Sequence, residues 1–185
     1  MASHKELKNF LASVEKRAYK RSFYHVRNEE AALDIVQDSM LKLVEHYATK
    51  PAQELPLLFQ RILSNTTMDW FRRQKTRNAL FVNYNDFGSD NELESIDFVG
   101  VVTDNPVMES AQDLFTRTEI VRQIESAVQD LPGRQREAFL LRYWEELDVA
   151  ETAAAMGCSE GSVKTHCSRA IQALHKALIA KGFKP

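Results

Sequence analysis

Cys158, His166 and Cys167 stand close together in the stretch "GCSEGSVKTHCSRA", residues 157–170. Thiolates and imidazole nitrogens are what a structural zinc ion binds, so metal coordination is the first chemistry to weigh. The spacing argues against it. Zinc sites close with ligand pairs roughly two to four residues apart, whereas Cys158 lies nine residues before Cys167. On a helix, the neighbours His166 and Cys167 point about 100° apart, so a buried thiol is the expected state of Cys167. The remaining histidines, His4, His25, His46 and His175, are scattered and read as surface or packing residues. No Gly-rich phosphate loop, metal-spaced His/Glu set or nucleophile motif occurs. The expectation is a binding protein, with no catalytic residues, no metal and no cofactor.

The same stretch has a second possible use. Val149 to Met156 forms a short Ala-rich helix, Gly157 suits a left-handed C-cap, and Ser159 can N-cap a following helix. Small residues in the first helix let a second cross it closely, which is the pattern of a helix-turn-helix. On the second helix Val163, Cys167, Ala170, Ile171, Leu174 and Leu178 fall on one side and are expected to be buried. Ser162, Lys164, Thr165, Ser168, Arg169 and Lys176 fall on the other. Long bases among short hydroxyls can meet phosphates and base edges in a major groove.

Two more helical stretches carry patterned polar faces. Over 33–47, Leu33, Val36, Met40, Leu43, Val44 and Tyr47 make an apolar face, beside which lie Asp34, Gln37, Asp38, Leu41 and Glu45. An exposed Leu within an acidic stripe fits docking onto a basic helical partner. Over 58–77, Leu58, Phe59, Ile62, Leu63, Thr66 and Trp70 share the side expected to be buried, and Arg61, Asn65, Asp69 and Arg72 share another. The run "RRQKTR" (72–77) then adds Arg73, Lys75 and Arg77, enough charge for several phosphate contacts and a marked salt dependence.

These elements belong to a chain of 185 residues with a net charge of −2. The mean hides an asymmetry: residues 1–78 carry +5, residues 79–116 carry −8 with no Lys or Arg, and residues 117–185 carry +1. Helical periodicity fills residues 5–77, broken near Pro51 and Pro56, and resumes from about 107. The Asn/Asp/Gly-rich stretch between reads as an extended tether with at most a short strand or helical turn. The expected fold is all-α: two small helical domains, 1–78 and 107–185, joined by a flexible acidic linker at 79–106. No apolar run reaches the roughly 20 residues of a membrane span, and "MASHKELKNFL" lacks the features of a signal peptide. Two cysteines fit a reducing compartment, so a cytoplasmic location without membrane insertion is expected.

The C-terminal stretch closely resembles region 4 of bacterial sigma factors of the extracytoplasmic-function type. The resemblance rests on Leu131-Pro132, Arg134-Gln135-Arg136, Leu140 to Tyr143, Glu146-Leu147 and Gly161-Ser162-Val163-Lys164. "EEAALDIVQDSMLKLVEHY" and "LFQRILSNTTMDWFRRQKTRN" resemble region 2 of the same family. This resemblance implies an alternative sigma factor that binds core RNA polymerase and directs promoter-specific initiation. It implies polymerase-clamp contacts from Asp34, Gln37, Asp38, Leu41 and Glu45. It places −10 contacts on Arg61, Asn65, Asp69, Arg72, Arg73, Lys75 and Arg77, with the 47–56 loop, and −35 contacts on Ser162, Lys164, Thr165, Ser168 and Arg169. Under it the acidic linker can occupy the positive channel through which RNA leaves. An anti-sigma factor is a further partner that the family admits. Many members carry Trp where Leu58 stands and a bulkier residue where Ser168 stands, so neither contribution carries over. A free-standing helix-turn-helix regulator is the alternative reading. The sequence leaves open whether the two domains pack together or lie apart.

Overall fold

Arg27 and Asn28 divide what reads in the sequence as one long helical stretch. Arg27 adopts the left-handed region (φ 52°, ψ 30°), with its N–H bonded to the Phe23 carbonyl, and so ends α1 (His4–Val26). Asn28 then caps α2 (Glu29–Tyr47), its side chain accepting from the Ala31 N–H at 2.8 Å. The chain turns at 48–51, makes one 3₁₀ turn (Ala52–Glu54) and enters α3 (Leu55–Leu80). Pro56 sits in the first turn of α3, where a missing N–H breaks no helical bond. The computed structural model describes residues 3–80 and 111–182, with side chains for 3–77 and 117–182. The tether expected at 79–106 lies outside the described residues, apart from the last two residues of α3.

The N-terminal helices close on Leu7, Ala18, Ile35, Val36, Leu43, Leu55, Phe59 and Leu63. The Phe10 and Phe59 rings meet edge to face at 5.9 Å. The buried stripe of α2 is rotated from its expected position. Leu33 and Val44 are 48% and 39% exposed, while Ala32 and Ser39 take their places inside. Small side chains at 32 and 39 let neighbouring helices approach closely, and apolarity alone does not reveal them. Helix α3 buries Phe59, Leu63 and Thr66 as expected, with Leu58, Ile62 and Trp70 partly covered. It also buries a second, polar face, Gln60, Ser64 and Thr67.

The C-terminal half comprises α4 (Ala111–Asp130), α5 (Gly133–Phe139) running into a π turn (Leu140–Trp144), α6 (Val149–Met156) and α7 (Glu160–Ala180). Arg136 organises the corner between α4 and α5. Its guanidinium donates to the carbonyls of Val128 (3.1 Å), Gln129 (2.5 Å) and Leu131 (2.7 Å) at and just past the end of α4, where helical partners run out. It also donates to the His25 carbonyl of α1 at 3.2 Å. Burial, and then neighbouring Arg27, pull its pKa down. In the π turn the Glu145 N–H reaches the Leu140 carbonyl at 2.9 Å, and Glu146 then takes a positive φ of 58°. Asp148 starts α6 with a capping box, Asp148 Oδ1 accepting from the Glu151 N–H at 2.7 Å.

Among the described residues there are helices and no strands. The two halves pack on each other: α1 lies against α4, and α3 against α6. Tyr24 of α1 joins a C-terminal cluster that includes Val128, Leu131, Leu140, Trp144 and Leu174.

Candidate nucleic-acid interfaces

The turn from α6 to α7 follows from its residues. Gly157 takes the left-handed region (φ 63°, ψ 42°) and ends α6, with its N–H on the Ala153 carbonyl. Ser159 caps α7, its Oγ accepting from the Ser162 N–H at 3.2 Å. Val163, Cys167, Ala170 and Leu174 are buried against the preceding helices, and Leu178 is half-buried. Ile171 departs from expectation. It is 46% exposed and lines, with Tyr143, Lys164, Ser168 and Gln172, a cleft of about 490 Å³ beside the exposed face. It lies at the edge of the apolar arc, where α5 and α6 no longer cover it.

The opposite face is open. Lys164, Thr165, Ser168, Arg169 and Lys176 are exposed. Ser162 is half-exposed and engaged in the cap, its Oγ 2.9 Å from that of Ser159. The Thr165 hydroxyl donates to the Gly161 carbonyl at 3.0 Å, which leaves its lone pairs free to accept. Cys167 is buried near Ala138, Leu141 and Val163, with its Sγ 3.7 Å from the Ala138 carbonyl. Burial pushes its thiol up, against the pull of Arg142. His166 is half-buried, and burial, then Arg134 and Arg169, lower its pKa. Cys167 is therefore a packing thiol of the helix-turn-helix, and His166 lies among cations.

On α3, Arg61, Asn65, Arg72, Arg73, Lys75 and Arg77 are exposed and Asp69 is half-exposed. Arg72 pairs with Asp69 at 3.0 Å. The 47–56 segment is short and partly helical, with Lys50 and Glu54 3.7 Å apart. On α2, Asp34, Gln37, Asp38, Leu41 and Glu45 are all exposed, Leu41 at 55%. Leu33 and Val44, expected in the core, extend this face, so an apolar row runs beside the acidic one. A cleft of about 510 Å³ separates α2 from α3, with Asp34 and Asp38 on one wall and Arg73 and Arg77 on the other. The α2 and α3 arrays thus lie on the N-terminal half and the α7 array on the C-terminal half.

A fourth array has no counterpart in the sequence reading. Arg17, Arg21, Tyr24 and His25 form one stripe of α1, and all four meet the C-terminal half. Arg21 donates to Gln60 Oε1 and, at 2.7 Å each, to Ser64 Oγ and Glu137 Oε1. His25 Nε2 lies 2.5 Å from Glu137 Oε2. The side chains of Arg21, His25 and Glu137 are 1%, 3% and 4% exposed. Burial opposes the charge of Glu137, yet Arg21, then His25 and the Ser64 hydroxyl, hold its carboxyl far below the usual range. Arg17 donates to the Trp144 carbonyl, lies 5.7 Å from the Trp144 ring centroid and pairs with Glu145 at 3.4 Å. Gln60 also reaches Glu145, at 3.1 Å, and burial raises the pKa of that carboxyl. Tyr24 packs edge to face on Trp144 and donates to Glu125 at 2.9 Å. The signal was present as i, i+4, i+7, i+8 spacing, but a helix face rich in Arg and His reads as solvated.

Comparison with known proteins finds relatives along most of the chain. Residues 121–174 match the family model for sigma-70, region 4. The chain is 27% identical over 155 residues to RNA polymerase sigma factor SigV of Bacillus subtilis (strain 168), covering 83% of this chain and 80% of that protein. It is 26% identical over 161 residues to the ECF RNA polymerase sigma factor SigX of the same organism, covering 85% and 76%. The RNA polymerase sigma-E factor of Streptomyces coelicolor is 26% identical over 151 residues, covering 81% and 73%. In fold it is similar to a chain from the co-crystal structure of sigma factor RpoE with anti-sigma factor NepR from Bartonella quintana. That match has a TM-score of 0.67 at 22% identity, over 94% of this chain and 97% of that one. With a region 4 match at 121–174 and sigma factors aligned across both of its halves, the chain is similar to sigma factors of the extracytoplasmic-function type.

Proposed function

We propose that this chain binds core RNA polymerase and directs promoter-specific transcription initiation, acting by binding and without catalysis of its own. The observation that carries the reading is α7: an exposed face of Lys164, Thr165, Ser168 and Arg169 on a helix seated by Val163, Cys167 and Ala170, inside the region 4 match. This face reads duplex DNA at the −35 element, with Ser162 at its start. Arg61, Asn65, Asp69 and Arg72 of α3 line the −10 element, and Arg73, Lys75 and Arg77 hold its phosphates. Stacking of unpaired bases there contributes about 1–3 kcal/mol per base. Asp34, Gln37, Asp38, Leu41 and Glu45 of α2 dock on the polymerase clamp, with Leu33 and Val44 widening the apolar part of the contact. Residues 1–78 and 107–185 serve as the two binding domains, and the acidic 79–106 segment links them within the polymerase. An anti-sigma factor fits the same reading as a regulatory partner. Among the described residues no helix is long and apolar enough to cross a membrane, and work alongside polymerase puts the chain in the cytoplasm.

The test is size-exclusion chromatography of the purified chain with core RNA polymerase, without DNA. A stoichiometric complex is expected, and it should initiate from a cognate promoter. A folded chain that fails to co-elute would instead make it a free-standing DNA-binding regulator.

A further inference from the structure

We propose that the cleft between α2 and α3 is a pocket for a single nucleotide with an amino-bearing base. The base amino group would meet Asp34 and Asp38, the ring Trp70, and the phosphate Arg73 and Arg77. The cleft is lined by none of the residues 47–56, nor by Asn65, so it is a different place from the base-reading loop that the sequence suggests.

Each wall repeats one charge at a helical turn. Asp34 and Asp38 stand four residues apart on α2, and Arg73 and Arg77 four apart on α3, so each pair shares a helix face. All four side chains are exposed, and all four line the cleft of about 510 Å³. Opposite charges on facing walls attract, yet among the described residues no ion pair spans the cleft. The gap between them is open to a ligand. Deeper in lie Ile35, Thr66 and Trp70. Trp70 packs on the N-terminal core and meets Phe71 edge to face at 5.1 Å, which holds its indole in place. The Lys42 ammonium of α2 donates to the Thr66 hydroxyl of α3 at 3.2 Å and ties the walls together.

A ligand that satisfies both walls must carry an anion, hydrogen-bond donors and a flat ring. A simple anion meets two carboxylates, and a simple cation meets two guanidiniums. A nucleotide carries all three features. Guanidinium forks suit phosphate oxygens, carboxylates accept from base amino groups, and stacking on an aromatic ring serves any base. Thymine has no amino group, and its carbonyls would face carboxylates, so it is the base this pocket rejects. The volume falls within the roughly 300–1,000 Å³ of small-molecule sites.

Isothermal titration of the full chain at low salt with dAMP, dCMP, dGMP and dTMP tests the pocket. The first three should bind about tenfold more tightly than dTMP, the discrimination of one well-placed base contact. Asp34→Asn with Asp38→Asn should bring dTMP level with the others. Arg73→Gln with Arg77→Gln should weaken all four about tenfold, and circular dichroism should keep its helix content because these side chains are exposed. The proposal is overturned if no nucleotide binds, if inorganic phosphate binds as tightly as the nucleotides, or if dTMP matches the others on the wild type. Oligothymidine with and without one central dG separates the two sources of such a ligand. A preference for the dG strand means a nucleotide taken from single-stranded DNA, and a preference seen only among mononucleotides means a free one. The strand source alone rests on the proposed reading of α3 as the −10 helix. A chain that shows the base preference but fails to co-elute with core polymerase keeps the pocket and loses the polymerase reading.

Discussion

Helices α3 and α7 share a design, apolar on one side and polar on the other, but they use their polar residues differently. Helix α7 has one buried stripe, and Lys164, Thr165, Ser168 and Arg169 face water. Helix α3 is buried on two sides: Phe59 and Leu63 in the N-terminal core, and Gln60, Ser64 and Thr67 in a polar face that includes the contacts to Glu137 and Glu145. The Ser168 hydroxyl of α7 therefore faces water, whereas Ser64 of α3 is already engaged by Arg21 and Glu137. Chemically similar residues stay open to solvent in one helix and hold the halves together in the other. Only the neighbours separate the two roles.

The comparison can be broken most forcefully at Phe59. Its ring is fully buried against Phe10, so Phe59→Ala should cost about 3–5 kcal/mol in urea unfolding. A cost below about 1 kcal/mol would mean that α3 is not seated as described. The serine pair sharpens the contrast. Ser64→Ala should cost about 1–3 kcal/mol, because it strips hydrogen bonds from a buried charge cluster. Ser168→Ala should leave stability within about 0.5 kcal/mol and change only promoter preference, measured by competition binding; equal stability losses would erase the distinction. Gly157→Ala, at a φ of 63° with open space around the site, should cost about 1 kcal/mol through backbone strain alone. Arg72→Ala should likewise have a small stability effect. Its pair with Asp69 is exposed, worth at most about 0.5 kcal/mol, but the salt dependence of DNA binding should fall by about one counterion.

Periodicity made the helix-turn-helix legible because each signal there was local. The bounds of α6, the left-handed Gly157, the Ser159 cap and the open face of α7 all follow from residues a few positions apart. The acidic row of α2 was also legible as exposed, but the helix's buried stripe was misplaced: Ala32 and Ser39 pack inside because they are small, and Leu33 and Val44 stay out. The α1 stripe was not legible at all. Nothing in Arg17, Arg21 or His25 announces their contacts, since the partners that bury Arg21 and His25 and half-cover Arg17 lie more than 100 residues away, at Glu137, Trp144 and Glu145. Arg136 is the intermediate case. The Arg134-Gln135-Arg136 motif marked it as a family feature, and the carbonyls at the end of α4 give the physical reason.

The composition of α6 bears on how firmly the two halves hold together. Four of its eight residues are alanine, and it is the helix set between α3 and α7. A methyl group exposes little apolar area, and the penalty for wetting a surface grows with that area, at about 25 cal/mol per Å². A leucine-rich helix in this position would make separation of the halves costly and leave a sticky face exposed afterwards. An alanine-rich one leaves little apolar area to be wetted should the halves part.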